Sequence, residues 1–167
     1  MGVFDESKCE CCVCPMQRVL KKIMEQTDQT VSIITTTNRS DDVTITDIKD
    51  FILFGTQSFE GGVIIDVYFP ICNVSAVEFS PSLQLQLTPS KDNLKGECTC
   101  CEDPANKLLN RLSRSEMFSI SYLDGLLNQA TIVEVGEGIV IIFDAFSGNL
   151  QAISICQINE IGPATPI

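Results

Sequence analysis

Val67-Tyr-Phe-Pro-Ile-Cys-Asn-Val74 returns as Gln151-Ala-Ile-Ser-Ile-Cys-Gln-Ile158, which places Cys72 and Cys156 at a separation of 84 residues (156 − 72 = 84). Upstream of each copy the matches continue. Phe51-Ile-Leu-Phe54 corresponds to Ile139-Val-Ile-Ile142 (139 − 51 = 88), and Val43-Thr-Ile-Thr-Asp-Ile48 to Ala130-Thr-Ile-Val-Glu-Val135 (130 − 43 = 87). Val31-Ser-Ile-Ile34 corresponds to Phe118-Ser-Ile-Ser121 (118 − 31 = 87). A nearly constant offset over successive segments means that one structural unit is written twice, with short insertions confined to the connections.

The matched segments read as strands. Val43–Ile48 and its copy alternate apolar and polar residues, the period of a half-buried strand. Phe51–Phe54 and Ile139–Ile142 are short continuous apolar runs, which suit strands buried on both faces. Gly61-Gly62 and Gly148-Asn149 follow as turns, and Gly136-Glu-Gly138 is a turn between strands. Ahead of the strands, Pro15 and Pro104 stand 89 apart (104 − 15 = 89) and suit a first helical turn, where a missing N–H costs nothing. Val19, Leu20 and Ile23, with their counterparts Leu108, Leu109 and Leu112, form one apolar stripe on each predicted helix.

One unit is thus a short helix followed by about five strands in roughly 70 residues, and a chain that small buries a core best by curling its sheet closed. The expected fold is mainly β, two tandem small β-barrels each preceded by a short α-helix. The element order over 15–79 and 104–162 resembles the Sm-like or SH3-like barrel. The expected divisions are a Cys-rich connector over 1–14, a first helix-plus-barrel unit over 15–79, a linker with the second Cys cluster over 80–103, and a second helix-plus-barrel unit over 104–167. Within the linker, Leu83-Gln-Leu-Gln-Leu87 alternates like an extra strand.

Composition narrows the function. With 44% hydrophobic residues the chain has material for packed cores, and 11 basic against 22 acidic residues give a net charge of −11, which repels phosphate backbones. Nucleic-acid binding is therefore not expected, and Lys21-Lys22, the longest basic run, reads as a solvated helix face. There is no histidine, which removes the commonest general base near neutral pH and every Cys/His metal motif. Ser and Thr lack a base partner, and Asp41-Asp42, Asp66 and Glu60 read as turn and surface carboxylates; no enzyme and no cofactor are expected. Met1-Gly-Val-Phe-Asp-Glu6 is acidic where a signal peptide is basic, no segment approaches the length of a membrane span, and Glu6 spoils a myristoylation pattern.

What remains is sulfur. The nine cysteines also follow the repeat: Cys9-Glu-Cys11-Cys12 recurs as Cys98-Thr-Cys100-Cys101 (98 − 9 = 89), Cys72 recurs as Cys156, and only Cys14 lacks a counterpart. Metal binding is one use, since thiolates suit zinc or copper(I), but tetrahedral zinc sites usually join two distant Cys-x2–4-Cys knuckles. Redox catalysis is another, through Cys11-Cys-Val-Cys14, yet such motifs sit in βαβ units and the second copy has Glu102-Asp103 in the place of the last thiol. Cys72 and Cys156 lie in apolar contexts that also suit small buried hydrophobes. Cross-linking accounts for what the others leave over: two clusters ahead of two rigid units make each subunit at least bivalent, and bivalent head-to-tail subunits polymerise. The candidate cross-linking residues are Cys9, Cys11, Cys12, Cys14, Cys72, Cys98, Cys100, Cys101 and Cys156.

The Cys-Cys-Val-Cys-Pro opening at 11–15, the predicted helix over Met16–Gln26, and the ending Phe69-Pro-Ile-Cys-Asn-Val-Ser-Ala-Val77, repeated as Ile153-Ser-Ile-Cys-Gln-Ile-Asn-Glu-Ile161, resemble the cysteine-rich coat or exosporium proteins of bacterial endospore surfaces, in particular those with tandem Sm-like units. Endospore appendage filaments, held by N-terminal cysteine clusters, are similar in chemistry. The resemblance implies a structural protein made in the mother-cell cytoplasm, assembled on the spore surface, and oxidised once that cell lyses. It implies as partners further copies of the chain, which the bivalency above would join head to tail, and other spore-surface proteins; neither nucleic acid nor membrane is expected as a partner. The alternative is a thiolate metal-binding or sensing module on tandem Sm-like domains.

Overall fold

A computed structural model describes residues 13–26, 29–89, 97–112, 114–122, 125–136 and 138–164, with only the backbone described over 97–103. Helix α1 (Cys14–Gln26) leads into β1 (Val31–Thr35), β2 (Arg39–Lys49), β3 (Ile52–Phe59), β4 (Val63–Pro70), a 3-10 turn (Ile71–Asn73) and β5 (Val74–Phe79). Helix α2 (Glu97–Arg111) leads into β6 (Phe118–Tyr122), β7 (Gly125–Gly136), β8 (Ile139–Asp144), β9 (Leu150–Ser154), a second 3-10 turn (Ile155–Gln157) and β10 (Ile158–Pro163). The duplication is therefore structural. It extends to the irregularities: the ladder slips between Ile45 and Asp47 in β2 and between Ile132 and Glu134 in β7, equivalent places where a bulge bends and twists the strand.

All ten strands belong to one antiparallel sheet in the order β10-β6-β7-β8-β9-β5-β1-β2-β3-β4. Each repeat contributes its five strands in the sequence fifth, first, second, third, fourth, and the two runs join where β9 pairs with β5. The sheet is not closed, which corrects the expectation of two closed barrels. The reason lies in the seam: the outer edge of β5 is taken by β9 of the other repeat, through Ala76 opposite Ile153 to Phe79 opposite Leu150, and does not return to β4. The sheet is nonetheless strongly curled. The Tyr122 hydroxyl in β6 donates to Gln151 Oε1 in β9 at 3.0 Å, although β7 and β8 lie between those strands. Strands spaced about 4.8 Å apart would hold them roughly 14 Å apart in a flat sheet.

Burial follows from position in this sheet. β5, at the seam, is buried at all six positions, and β8 at all but one. Of the two apolar runs expected to be buried on both faces, Ile139–Ile142 is so. In the first repeat, strand β3 is next to the sheet's end and alternates, with Leu53 buried and Phe54 stacked edge-on against Tyr68 at 5.4 Å between ring centres. The run itself is displaced by one residue. Ile52 opposes Pro70 as Ile139 opposes Ser154, so Ile52 and not Phe51 is the counterpart of Ile139. Phe51 sits in the β2–β3 turn, 45% exposed.

The helices cover the curl. Met16, Val19, Leu20 and Ile23 of α1 lie at i, i+3, i+4 and i+7 and are all buried, with Pro15 in the first turn as expected. Helix α2 begins at Glu97, seven residues before Pro104, so Pro104 lies inside the helix and the second cysteine cluster is helical in backbone. Its buried stripe also differs from the expected one: Leu109 is buried and Ala105 and Leu112 pack against the second core, while Leu108 is 45% exposed. The Leu83-Gln-Leu-Gln-Leu87 stretch is extended but joins no ladder. Leu83 and Leu85 are buried and Leu87 packs on the first core, with Gln84 and Gln86 outward. The strap crosses to the second repeat, where the Leu87 N–H donates to Glu134 Oε1 at 3.0 Å, and Lys22 of α1 donates to the Gln86 carbonyl.

Candidate functional site

The predicted cross-linking residues fall into three groups. Cys9, Cys11 and Cys12 lie outside the described residues. Cys98, Cys100 and Cys101 lie in the first turns of α2, which packs against the turn Ile155–Gln157 that carries Cys156. The cluster helix of the second repeat and its exit cysteine thus belong to one side of that unit. Cys14 opens α1 and is half-buried, as is Cys156. Cys72 is exposed in the 3-10 turn between β4 and β5, with its thiol 3.8 Å from Asn73 Oδ1.

The two exit cysteines are held in equivalent frames. The Ile71 N–H donates to the Phe51 carbonyl at 2.9 Å, and the Ile155 N–H donates to the Gly138 carbonyl at 2.9 Å. Each bond ties the turn bearing the cysteine to the preceding hairpin, and Ile71 and Ile155 anchor those turns in the two cores. The cysteine between such anchors is turned away from the apolar interior, so neither Cys72 nor Cys156 belongs to a core cluster. Among the described residues no three Cys, Asp or Glu side chains lie where they could hold a metal ion together.

Sequence reasoning missed a polar cluster at the seam. Glu78 of β5 is 7% exposed, and its carboxylate accepts from Arg39 Nη2 at 2.9 Å, Arg39 Nη1 at 3.3 Å, Asn149 Nδ2 at 3.1 Å and Gln151 Nε2 at 2.7 Å. Gln151 Oε1 in turn accepts from Tyr122. A buried carboxylate is tolerable only when its lone pairs are filled, and here donors come from both repeats. Glu78 acts most strongly through its hydrogen bond to raise the Arg39 pKa. The Ser32 hydroxyl, with Arg39 beside it, lowers that of Asp41. Burial, followed by the Glu78 and Asp144 charges, pushes the Tyr122 phenol up to about 12, against an opposing contribution from Arg39. The cluster opens on a cleft of about 620 Å³ rimmed by Asn38, Leu126, Asp144 and Phe146. The signal for it was an acidic residue, Glu78, in a mostly apolar strand, Val74–Phe79.

The ends of the sheet form the other exposed feature. β4 is eight residues long, Val-Ile-Ile-Asp-Val-Tyr-Phe-Pro, and none of them is buried; Ile64 is 65% and Tyr68 60% exposed. β10, at the opposite end, is likewise paired on one side only, and none of its residues is buried. Among the described residues no helix is long and apolar enough to cross a membrane. No family model matches the chain, and comparison with curated proteins and with solved structures also returns no match.

Proposed function

We propose that this chain is a structural subunit of the bacterial spore surface that assembles with copies of itself into a filament or layer and is then locked by intermolecular disulfides. In this reading each repeat is an Sm-like unit, opened at the seam and fused to its neighbour. The observation that carries the reading is the exposure of Cys72 in a turn anchored to the rigid sheet on both sides. A thiol held so, exposed and outside the cores, is accessible to another molecule, which supports the reading. The cysteine clusters supply further attachment points, and the resemblance of the Cys-Cys-Val-Cys-Pro opening and the two Ile-Cys endings to spore-surface proteins supports the location, with synthesis in the mother-cell cytoplasm. The preferred linkage joins Cys9, Cys11, Cys12 or Cys14 of one subunit to Cys98, Cys100 or Cys101, or to Cys72 or Cys156, of the next. Non-reducing electrophoresis of native material tests this: a ladder that collapses to monomer with reductant is expected, and a monomer band indifferent to reductant would reject it.

A further inference from the structure

The duplicated sheet contains its own template for polymerisation. Within the sheet the two repeats are joined by one strand pair, the fourth strand of the second repeat (β9) against the fifth strand of the first (β5), and this pairing leaves the fourth strand of the first repeat (β4) and the fifth of the second (β10) as the two ends. The ends are therefore the same two kinds of strand that already pair inside the molecule. Two unlike, mutually complementary ends cannot satisfy each other within one open sheet, but they can between molecules. Such a contact is heterologous, and repeated it gives a ring or a filament.

We infer that β4 of one copy pairs antiparallel with β10 of a second copy, in the register that β9 and β5 use. This rests on the self-assembly reading above and names the surface by which assembly begins. Inside the molecule Ala76 opposes Ile153, Val77 opposes Ala152, Glu78 opposes Gln151 and Phe79 opposes Leu150. Residues 84 apart are equivalent in these strands, since Ile71–Phe79 and Ile155–Pro163 repeat the same turn and strand. Transposed by that offset, Glu160 opposes Phe69 of the next copy, Ile161 opposes Tyr68, Gly162 opposes Val67 and Pro163 opposes Asp66.

The residues at the ends fit this use. The eight-residue β4 edge carries two runs, Val63-Ile-Ile65 and Val67-Tyr-Phe69, with a single charge, Asp66, between them and its proline, Pro70, only at the end, so most of its length is open to pairing. In the transposed register the two charges, Asp66 and Glu160, oppose Pro163 and Phe69, so no like charges meet across the ladder. The inner seam buries Glu78 with Arg39, Asn149 and Gln151, whereas the outer seam has Gly162 and Val67 at the positions of Glu78 and Gln151.

The test removes all nine native thiols by serine substitution and adds Ile161→Cys with Tyr68→Cys, with circular dichroism confirming the β fold. Diamide takes two electrons and two protons from each facing thiol pair, forming the S–S bond and a hydrazine. A ladder of dimers, trimers and larger species is expected. Ile161→Cys with Ile64→Cys, displaced about 13 Å along the same face of β4, should stay monomeric, as should Tyr68→Cys alone. A folded but monomeric on-register pair, an equal ladder from the displaced pair, or dimers from Tyr68→Cys alone would each overturn the inference. Because native thiols are absent, the result is independent of the electrophoresis of native material: a ladder here beside a reductant-indifferent native monomer keeps edge pairing and rejects native cross-links, and the reverse rejects edge pairing alone.

Discussion

At Phe51 a bulky residue occupies a backbone conformation that favours glycine. Its φ is 59° and that of its neighbour Asp50 is 52°, the pair of left-handed values that a two-residue hairpin needs between Lys49 and Ile52. Aspartate tolerates this region, but a Cβ-bearing aromatic pays about 1 kcal/mol. At the equivalent turn the second repeat has Gly138, φ 72°, whose carbonyl makes the same bond to the following 3-10 turn that Phe51 makes. Phe51 is also half-exposed, so little apolar burial offsets the strain. Phe51→Gly is expected to raise stability by roughly 0.5–1 kcal/mol, seen as a higher urea midpoint with unchanged slope. An unchanged or lower midpoint would mean that the Phe51 ring contributes packing that its exposure does not suggest.

At the scale of elements, the repeat and its periodicities were legible, and the pairings were not. Helix α1 was readable because Pro15 opens it and its buried stripe is local. Helix α2 was not, since Pro104 in the first turn is the rule and an internal proline costs about 3 kcal/mol, so nothing in Glu97–Asp103 argued for a helix extending upstream. The one-residue slip at Phe51 has a similar origin: the apolar run matches its counterpart over four residues in one register and, with Gly55 matched to Ile142, over three in the other, and only the ladder decides. The polar seam escaped because a buried carboxylate becomes intelligible only when its donors, 39 to 73 residues away, are in place. Leu83-Gln-Leu-Gln-Leu87 alternates because any extended chain on an apolar surface alternates, with or without strand partners. What fixes that strap is a close approach. A Cβ on Gly136 would lie 2.4 Å from Leu87 Cβ and 2.7 Å from the Thr88 carbonyl oxygen, so Gly136→Ala must lift the strap off β7. A loss of about 1–3 kcal/mol is expected, with faster proteolysis within 81–89. Unchanged protection would show that the strap shifts without detaching.

The molecule as a whole behaves as one body in its cores as well as its sheet. The first core takes Ile139, Ile141 and Ala152 from the second repeat, and the second core takes Ala76 from the first. Neither repeat is complete alone, so unfolding should be a single transition for both. The Tyr122 phenol gives a way to test this from the seam. It is pushed up to about 12 in the fold and returns to about 10 in the unfolded chain, so between those values the unfolded state loses its proton first. Stability should therefore be intact below pH 10 and fall as pH rises towards 12, by about 2 kcal/mol from this group. Tyr122→Phe removes the seam's share and should flatten the slope, at the cost of the Gln151 bond. If the repeats are coupled through the seam, the alkaline loss must appear equally in both. Urea midpoints measured from β2–β3 amides by hydrogen exchange and from β7–β8 amides should move together between pH 9 and pH 11.5. A shift confined to the second repeat would show that the continuous sheet joins two units that unfold separately.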